Sequence, residues 1–178
     1  MNLLVEILMR DMSKVYDLLN PIAKEDLFIS SLIKMSKKVR DQKNIKQTGY
    51  LGVLRTDYMI TEQNEPKLVE LNTISVGMFG FSDQMKSFYE YMADKHLDID
   101  IPALPSDSNN IENIAAAMIS AHNLFLSVHD LRDKKPIICF IVDEIETLIC
   151  DHKLLENYMY SRYKVFVRRL TFEDILTH

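Results

Sequence analysis

Glu70 and Asn72 alternate in the run Leu68-Val69-Glu70-Leu71-Asn72-Thr73, and Arg55 and Asp57 have the same spacing in the run before it. In an extended strand alternate side chains share a face, so each pair projects to one side of its strand. Between the runs lie Thr61, Glu62, Gln63, Asn64, Glu65 and Pro66, a turn-forming composition. A turn centred near Asn64 and Glu65 brings all four polar groups within cross-strand reach on one sheet face. A carboxylate and an amide offer oxygens that suit a hard cation such as Mg²⁺, which binds few protein groups and completes its shell with water and substrate phosphate. A neighbouring arginine complements a carboxylate or phosphate through two parallel hydrogen bonds. The plainer alternative is an exposed hairpin face laced with weak ion pairs, and spacing alone favours that alternative.

The runs at 50–60 and 67–75 are apolar and partly alternating, which predicts a β-hairpin. Before it, Leu4, Ile7, Leu8, Met12, Val15, Leu18 and Leu19 form one stripe at helical spacing, predicting a helix over 2–19 that ends before Pro21. A second helix is expected over 26–40, burying Phe28, Ile29, Leu32, Ile33 and Met35 and carrying a basic tail of Lys34, Lys37, Lys38, Arg40, Lys43 and Lys46 that reads as a solvated face. After the hairpin come a loop with Gly77 and Gly80, a helix over 84–92 and a polar connection over 98–110. Asn109 followed by Glu112 resembles a capping box for a long helix through Ile114, Met118, His122, Phe125 and Val128, whose alanine run predicts close packing. Beyond Pro136 the pattern becomes strand (137–142), helix (153–162), strand (164–169), which implies a parallel βαβ unit. The fold class expected is α/β: helices with an antiparallel hairpin over 1–132, then the opening of a parallel-sheet domain over 133–178.

With 178 residues, nearly half apolar and about a quarter charged, the chain can bury one substantial core and reads as soluble and globular. A formal charge of −5 argues against a nucleic-acid binder acting through bulk electrostatics. No uncharged apolar run approaches the roughly 20 residues needed to cross a bilayer, and neither secretion nor membrane anchoring is indicated. Cys139 and Cys150 lack CxxC spacing and read as reduced cytosolic thiols; the five histidines are scattered rather than clustered as metal ligands.

Two segments carry a resemblance. Tyr50-Leu51-Gly52-Val53-Leu54-Arg55-Thr56-Asp57-Tyr58-Met59, with the strand Leu68-Val69-Glu70-Leu71-Asn72-Thr73-Ile74-Ser75, resembles the eukaryotic glutathione synthetase family. So does the stretch from Asp143-Glu144-Ile145-Glu146 through Asp151 and Glu156 to Val167-Arg168-Arg169-Leu170-Thr171-Phe172-Glu173-Asp174-Ile175. The similarity covers essentially the whole chain. It implies an ATP-grasp ligase of the cytoplasm, assembled as a homodimer, that joins γ-glutamylcysteine to glycine at the expense of ATP with Mg²⁺ as cofactor. It further implies that Glu70 and Asn72 are metal ligands, that Glu70 also lies at the nucleotide, and that Arg55 contacts substrate and serves catalysis. Ile74, Ser75, Val76 and Gly77 would lie along the dipeptide, Glu146 would hold its γ-glutamyl head group, and His152 would stand near it.

The chain departs from the family's pattern where Gly77 replaces a serine, Leu148 an asparagine, His152 a glutamine and Phe79 a glycine. Leu148 is the largest change, because an apolar side chain leaves substrate polar groups unpaired. Family members are more than twice as long, with further N-terminal helices, a second substrate segment and a C-terminal ATP-grasp portion. This length is therefore expected to be an incomplete form that is inactive alone. The alternative is a noncatalytic truncated paralogue that binds a γ-glutamyl peptide or a synthetase subunit, and a third reading is a ligase of altered peptide specificity.

Overall fold

The computed structural model describes residues 2–43, 45, 47, 49–95, 108–131, 133–135 and 137–177. The chain divides into two compact units, Met1–Tyr50 and Leu51–His178.

The first unit is three helices, α1 (Asn2–Arg10), α2 (Ser13–Ala23) and α3 (Leu27–Asp41). The single helix expected over 2–19 is thus two. The apolar periodicity runs through the joint, but the Asp11 carboxylate accepts from the Ser13 backbone N–H at 3.0 Å and from the Ser13 hydroxyl at 2.6 Å. Such local bonds compete with continuation of α1 and favour a fresh start at α2. They also hold the Asp11 carboxyl below the usual carboxylate range. Nor does Pro21 terminate the segment: it lies in the last turn of α2, where its missing N–H removes one ladder bond. The start of α3 is as expected, with Asp26 accepting from the Ile29 N–H at 3.0 Å, but of the apolar residues expected to be buried Ile33 alone is, while Phe28, Leu32 and Met35 are exposed. Lys38 and Arg40 occupy the last turn of α3, at the negative end of its dipole. Lys37 Nζ lies 5.0 Å from the centre of the Tyr16 ring on α2, so part of the basic face is used in packing. Lys46 lies outside the described residues.

The second unit opens with the hairpin β1 (Arg55–Ile60) and β2 (Pro66–Asn72), paired antiparallel. Both strands are shorter than the apolar runs that predict them. Helix α4 (Phe79–Lys95) is longer than the expected 84–92, and most of the expected connection, residues 98–107, lies outside the described residues. Helix α5 (Asn110–Val128) forms, but not by the expected capping box: the Asn109 side chain makes no cap hydrogen bond. The Asp83 carboxylate, from α4, accepts instead from the N–H groups of Asn110 at 2.9 Å and Ile111 at 2.8 Å. A capping box that the sequence pattern did not single out stands at Thr171 and Asp174, whose side chains each accept from the other's backbone N–H and so start α7 (Phe172–Thr177).

Strands β3 (Ile138–Ile141) and β4 (Val167–Leu170) pair in parallel through the crossover helix α6 (Ile149–Tyr163), as the strand, helix, strand pattern implies. Left-handed Lys164 (φ 58°) ends α6, its N–H bonding Tyr160 O at 3.0 Å. The core is Ala115 and Ile119 of α5 against Leu155 and Met159 of α6, with Phe79, Ile111, Met118, Ile138, Phe140 and Val167 around them. Ala115 and Met159 are wholly inaccessible to solvent, which bears out the close packing expected of the alanine run. Burying a side chain of Leu or Met size contributes about 1.5–3 kcal/mol. Among the described residues α5 is also the one helix long and apolar enough to cross a bilayer, and here its small face is spent on α6.

Among the described residues the architecture is therefore mixed helix and strand, with one small antiparallel hairpin and one parallel strand pair. Compactness separates the chain at Tyr50 and Leu51, while α5 and α6, on either side of the expected 132/133 division, share a core.

Candidate functional site

Alternation along β1 and β2 sets the first half of the site. Arg55 stands opposite Asn72 and Asp57 opposite Glu70, with a bulge between Asp57 and Tyr58. The turn closes through Thr61 N–H to Glu65 O at 3.0 Å and places Asn64 at φ 60°, a left-handed conformation that asparagine tolerates. All four polar groups meet on one face. Arg55 donates from Nε to Asp57 Oδ1 at 2.8 Å and from a terminal nitrogen to Asp57 Oδ2 at 3.0 Å, the bidentate geometry of guanidinium on carboxylate. Its contact with Glu70 is looser, at 3.9 Å. Asn72 Nδ2 donates to Glu70 Oε1 at 3.0 Å and to Asp57 Oδ2 at 3.3 Å.

The Arg55 hydrogen bond holds the Asp57 carboxyl below the usual carboxylate range, and the same bond raises the guanidinium's pKa. Both side chains remain more than a third exposed. The geometry sharpens the expectation in one respect: the group that engages Arg55 most closely is Asp57, a residue without a role in the resemblance. For a hard cation the cluster offers carboxylate oxygens from Asp57 and Glu70, and the Asn72 amide has to turn its oxygen, rather than its nitrogen, toward them. Among the described residues no three His, Cys, Asp or Glu side chains gather as a metal site. Two carboxylates and an amide nonetheless fit a metal that takes the rest of its shell from water and phosphate.

The second half is a cavity of about 670 Å³. The stretch Thr73, Ile74, Ser75 and Val76 forms one wall; Glu146, Leu148 and His152 form another; Ile114, Met118, Phe140 and Phe172 supply apolar floor. The structure thus brings Ile74, Ser75, Val76, Glu146 and His152 together. It does not place Arg55, Glu70 or Asn72 among the lining, although Asn72 is joined directly to Thr73, which does line it. Gly77 is not among the residues that line the cavity. A Cβ there would run into Leu148 Cδ1, so the leucine side chain fills the space that the missing Cβ leaves. Glu146 Oε1 accepts from the Leu148 N–H at 2.9 Å, which draws the segment before α6 into a turn. Nδ1 of His152 is buried with no hydrogen-bond partner among the described residues, and its ring meets Phe140 edge-on at 5.8 Å between centres.

One residue of the site escapes sequence reasoning. Asp151, in the first turn of α6, is 4% exposed. Its carboxylate accepts from the N–H of Met78 and from the N–H of Gly80 at 2.9 Å. Met78 has φ 72° and Ser75 φ 51°, so two non-glycine residues of this short loop adopt the left-handed conformation. In sequence Asp151 is one acid at a helix start, a placement the helix dipole already accounts for. Nothing local points to partners more than seventy residues away.

Comparison with known proteins agrees with the resemblance. The family described as eukaryotic glutathione synthase, ATP binding domain, matches residues 1–176. The glutathione synthetase of Dictyostelium discoideum is 29% identical over 95% of this chain, and that of Homo sapiens 27% identical over 98%. The chain spans 36% of the length of each. Among solved structures, a glutathione synthetase-like effector from Globodera pallida in apo form superposes with a TM-score of 0.65 at 21% identity, over 83% of this chain and 34% of that one, a likeness of fold. With a family match that runs from the first helix to the last, the chain belongs to the eukaryotic glutathione synthase family, through its ATP-binding domain.

Proposed function

We propose that this chain provides the metal-side hairpin and the dipeptide-side loop of an ATP-dependent ligase that joins glycine to γ-glutamylcysteine. The observation that carries the reading is the convergence of Arg55, Asp57, Glu70 and Asn72 on one sheet face, next in sequence to a loop that walls a cavity. In such a reaction the cysteinyl carboxylate takes the terminal phosphoryl group of ATP, releasing ADP. The glycine amine then attacks the carbonyl carbon, loses a proton, and displaces phosphate from the tetrahedral intermediate.

In this reading Glu70 and Asn72 hold Mg²⁺ and Glu70 also meets the nucleotide. Bound Mg²⁺ would offset the charge on the transferring phosphoryl group. Arg55 releases one arm of its bidentate grip on Asp57 to receive the substrate carboxylate, and Asp57 keeps the other arm in place. The loop 74–77 presents backbone groups along the dipeptide, Glu146 receives its ammonium end, and the unpartnered Nδ1 of His152 is available to a polar group in the cavity. Cytoplasmic placement and a homodimeric assembly belong to the same proposal.

Calorimetric titration of the chain with γ-glutamylcysteine and with MgATP tests it. Dipeptide binding is expected to weaken at least about tenfold in Arg55→Met, and the Mg²⁺ dependence of ATP binding to vanish in Glu70→Gln. Absence of binding by both ligands would overturn the reading. A narrower version arises from Leu148, whose side chain lies in the cavity wall where a polar head group would sit. It favours a dipeptide with a less polar head, and a clear preference for γ-glutamylcysteine over such analogues would remove it.

A further inference from the structure

We propose that Asp151 is a positioning residue, whose carboxylate sets the loop 73–78 against the start of α6 and so fixes the spacing between the two walls of the cavity. That these walls receive a dipeptide rests on the function proposed above; that Asp151 sets their spacing rests on geometry alone.

A carboxylate 4% exposed is costly to desolvate unless charge-assisted hydrogen bonds replace the lost water. Here the replacements are the backbone N–H groups of Met78 and Gly80, from residues 73 and 71 positions away. These are donors at the start of α4, which the helix itself leaves without partners. Asp151 therefore caps a helix other than its own. The donor at Met78 is aimed by a left-handed backbone, and Ser75 is left-handed as well. Such conformations persist where surrounding structure over-determines them, and the Asp151 hydrogen bonds tie this loop to α6.

The same helical turn carries further residues of the cavity lining. Leu148 and His152 lie to either side of Asp151 in sequence, and both line the cavity. One carboxylate thus joins a segment bearing Ser75 and Val76 to a segment bearing Leu148 and His152. The two glycines complete the joint by closeness rather than by backbone freedom. A Cβ at Gly80 would stand 2.7 Å from Asp151 Oδ1 and 2.7 Å from Leu154 Cδ1, and one at Gly77 would meet Leu148.

The test is residue-resolved amide hydrogen exchange on Asp151→Asn, which keeps the side chain's size but sets an NH₂ group against one of the two N–H donors. Exchange at residues 75–80 is expected to rise about tenfold or more, with the β1–β2 hairpin and the centre of α5 unchanged. Gly80→Ala reaches the joint from the loop side and should give the same local pattern; it also decides the matter if Asp151→Asn fails to fold. Unchanged exchange at 75–80, or a uniform rise through α5 and α6, would overturn the proposal, the second outcome marking a role in stability alone. Titrating the same samples with γ-glutamylcysteine separates the two readings. If the unaltered chain binds neither it nor MgATP, the proposed function falls, and wherever the dipeptide does not bind the exchange pattern still decides the role of Asp151. If it binds, Asp151→Asn should weaken it about tenfold and leave MgATP affinity unaltered.

Discussion

Arg55, Asp57, Glu70 and Asn72 meet on a sheet face that water reaches, and a single hairpin makes them neighbours. Asp151 meets Met78 and Gly80 out of reach of water, across a span of more than seventy residues. The exposed cluster can exchange partners, because solvent and a ligand both compete for the same hydrogen bonds at little cost. The buried carboxylate cannot, since each N–H it abandons is left unsatisfied. One region is built to be rearranged and the other to hold a distance.

Asp151→Ala should produce the largest effect. It orphans two backbone donors, each on the order of 1–3 kcal/mol, and the loss is read as a lowered melting temperature of the second unit. A melt indistinguishable from that of the unaltered chain would erase the contrast between the regions. Next comes Gly77→Ala, which drives a Cβ into Leu148 and is expected to cost about 1–3 kcal/mol by overpacking. Adding Leu148→Ala should recover most of that loss, and a double-mutant cycle on denaturant midpoints measures the coupling. If the two changes simply add, the glycine and the leucine do not share the space as described.

On the exposed side, Glu70→Gln should leave the melt unchanged while the Mg²⁺ dependence of ATP binding disappears. A clear loss of stability would show that the cluster holds the hairpin as well as a ligand. The smallest effect concerns pH. Arg55 depresses the Asp57 pKa in the folded chain below the ordinary value of about 3.9. The unfolded chain then binds the proton first as pH falls. The hairpin's gain from this pair is therefore complete above that ordinary value and is lost as pH falls through the lower, folded one. Following the Asp57 carboxyl signal by NMR from pH 6 downward reads the displacement directly, and a midpoint at or above the ordinary value contradicts the ion pair.

Legibility in the sequence divides along the same line. Period-two alternation, the turn composition from Thr61 to Glu65 and the strand, helix, strand pattern after Pro136 are local signals, and they suffice for the hairpin, its polar face and the parallel strand pair. The bulge between Asp57 and Tyr58 is not visible, because one extra residue leaves the composition unchanged. The break at Asp11 is masked by a stripe of apolar residues that continues through it. Asn109 offers a plausible cap, yet Asp83 holds the donors; Asp151 offers a plausible dipole partner, yet its hydrogen bonds go to α4. In both cases the residue type is informative and the partner is not, since hydrogen bonds between distant segments leave no periodicity. The site residues taken from the resemblance divide into Ile74, Ser75, Val76, Glu146 and His152 at the cavity and Arg55, Glu70 and Asn72 on the hairpin face, with Gly77 in neither set but packed against Leu148.

The capping of α4 by Asp151, and of α5 by Asp83, has a consequence for the order of events as the chain is made. A first turn whose donors wait for an acid encoded 71 residues later is frayed when it leaves the ribosome, and it settles only once the beginning of α6 has emerged as well. The cap of α5 has no such wait, because Asp83 is synthesised before the donors it receives, although the packing of α5 still needs α6. Nascent chains halted short of Asp151 should therefore show protease cutting between Ser75 and Gly80 that disappears in chains halted well beyond it.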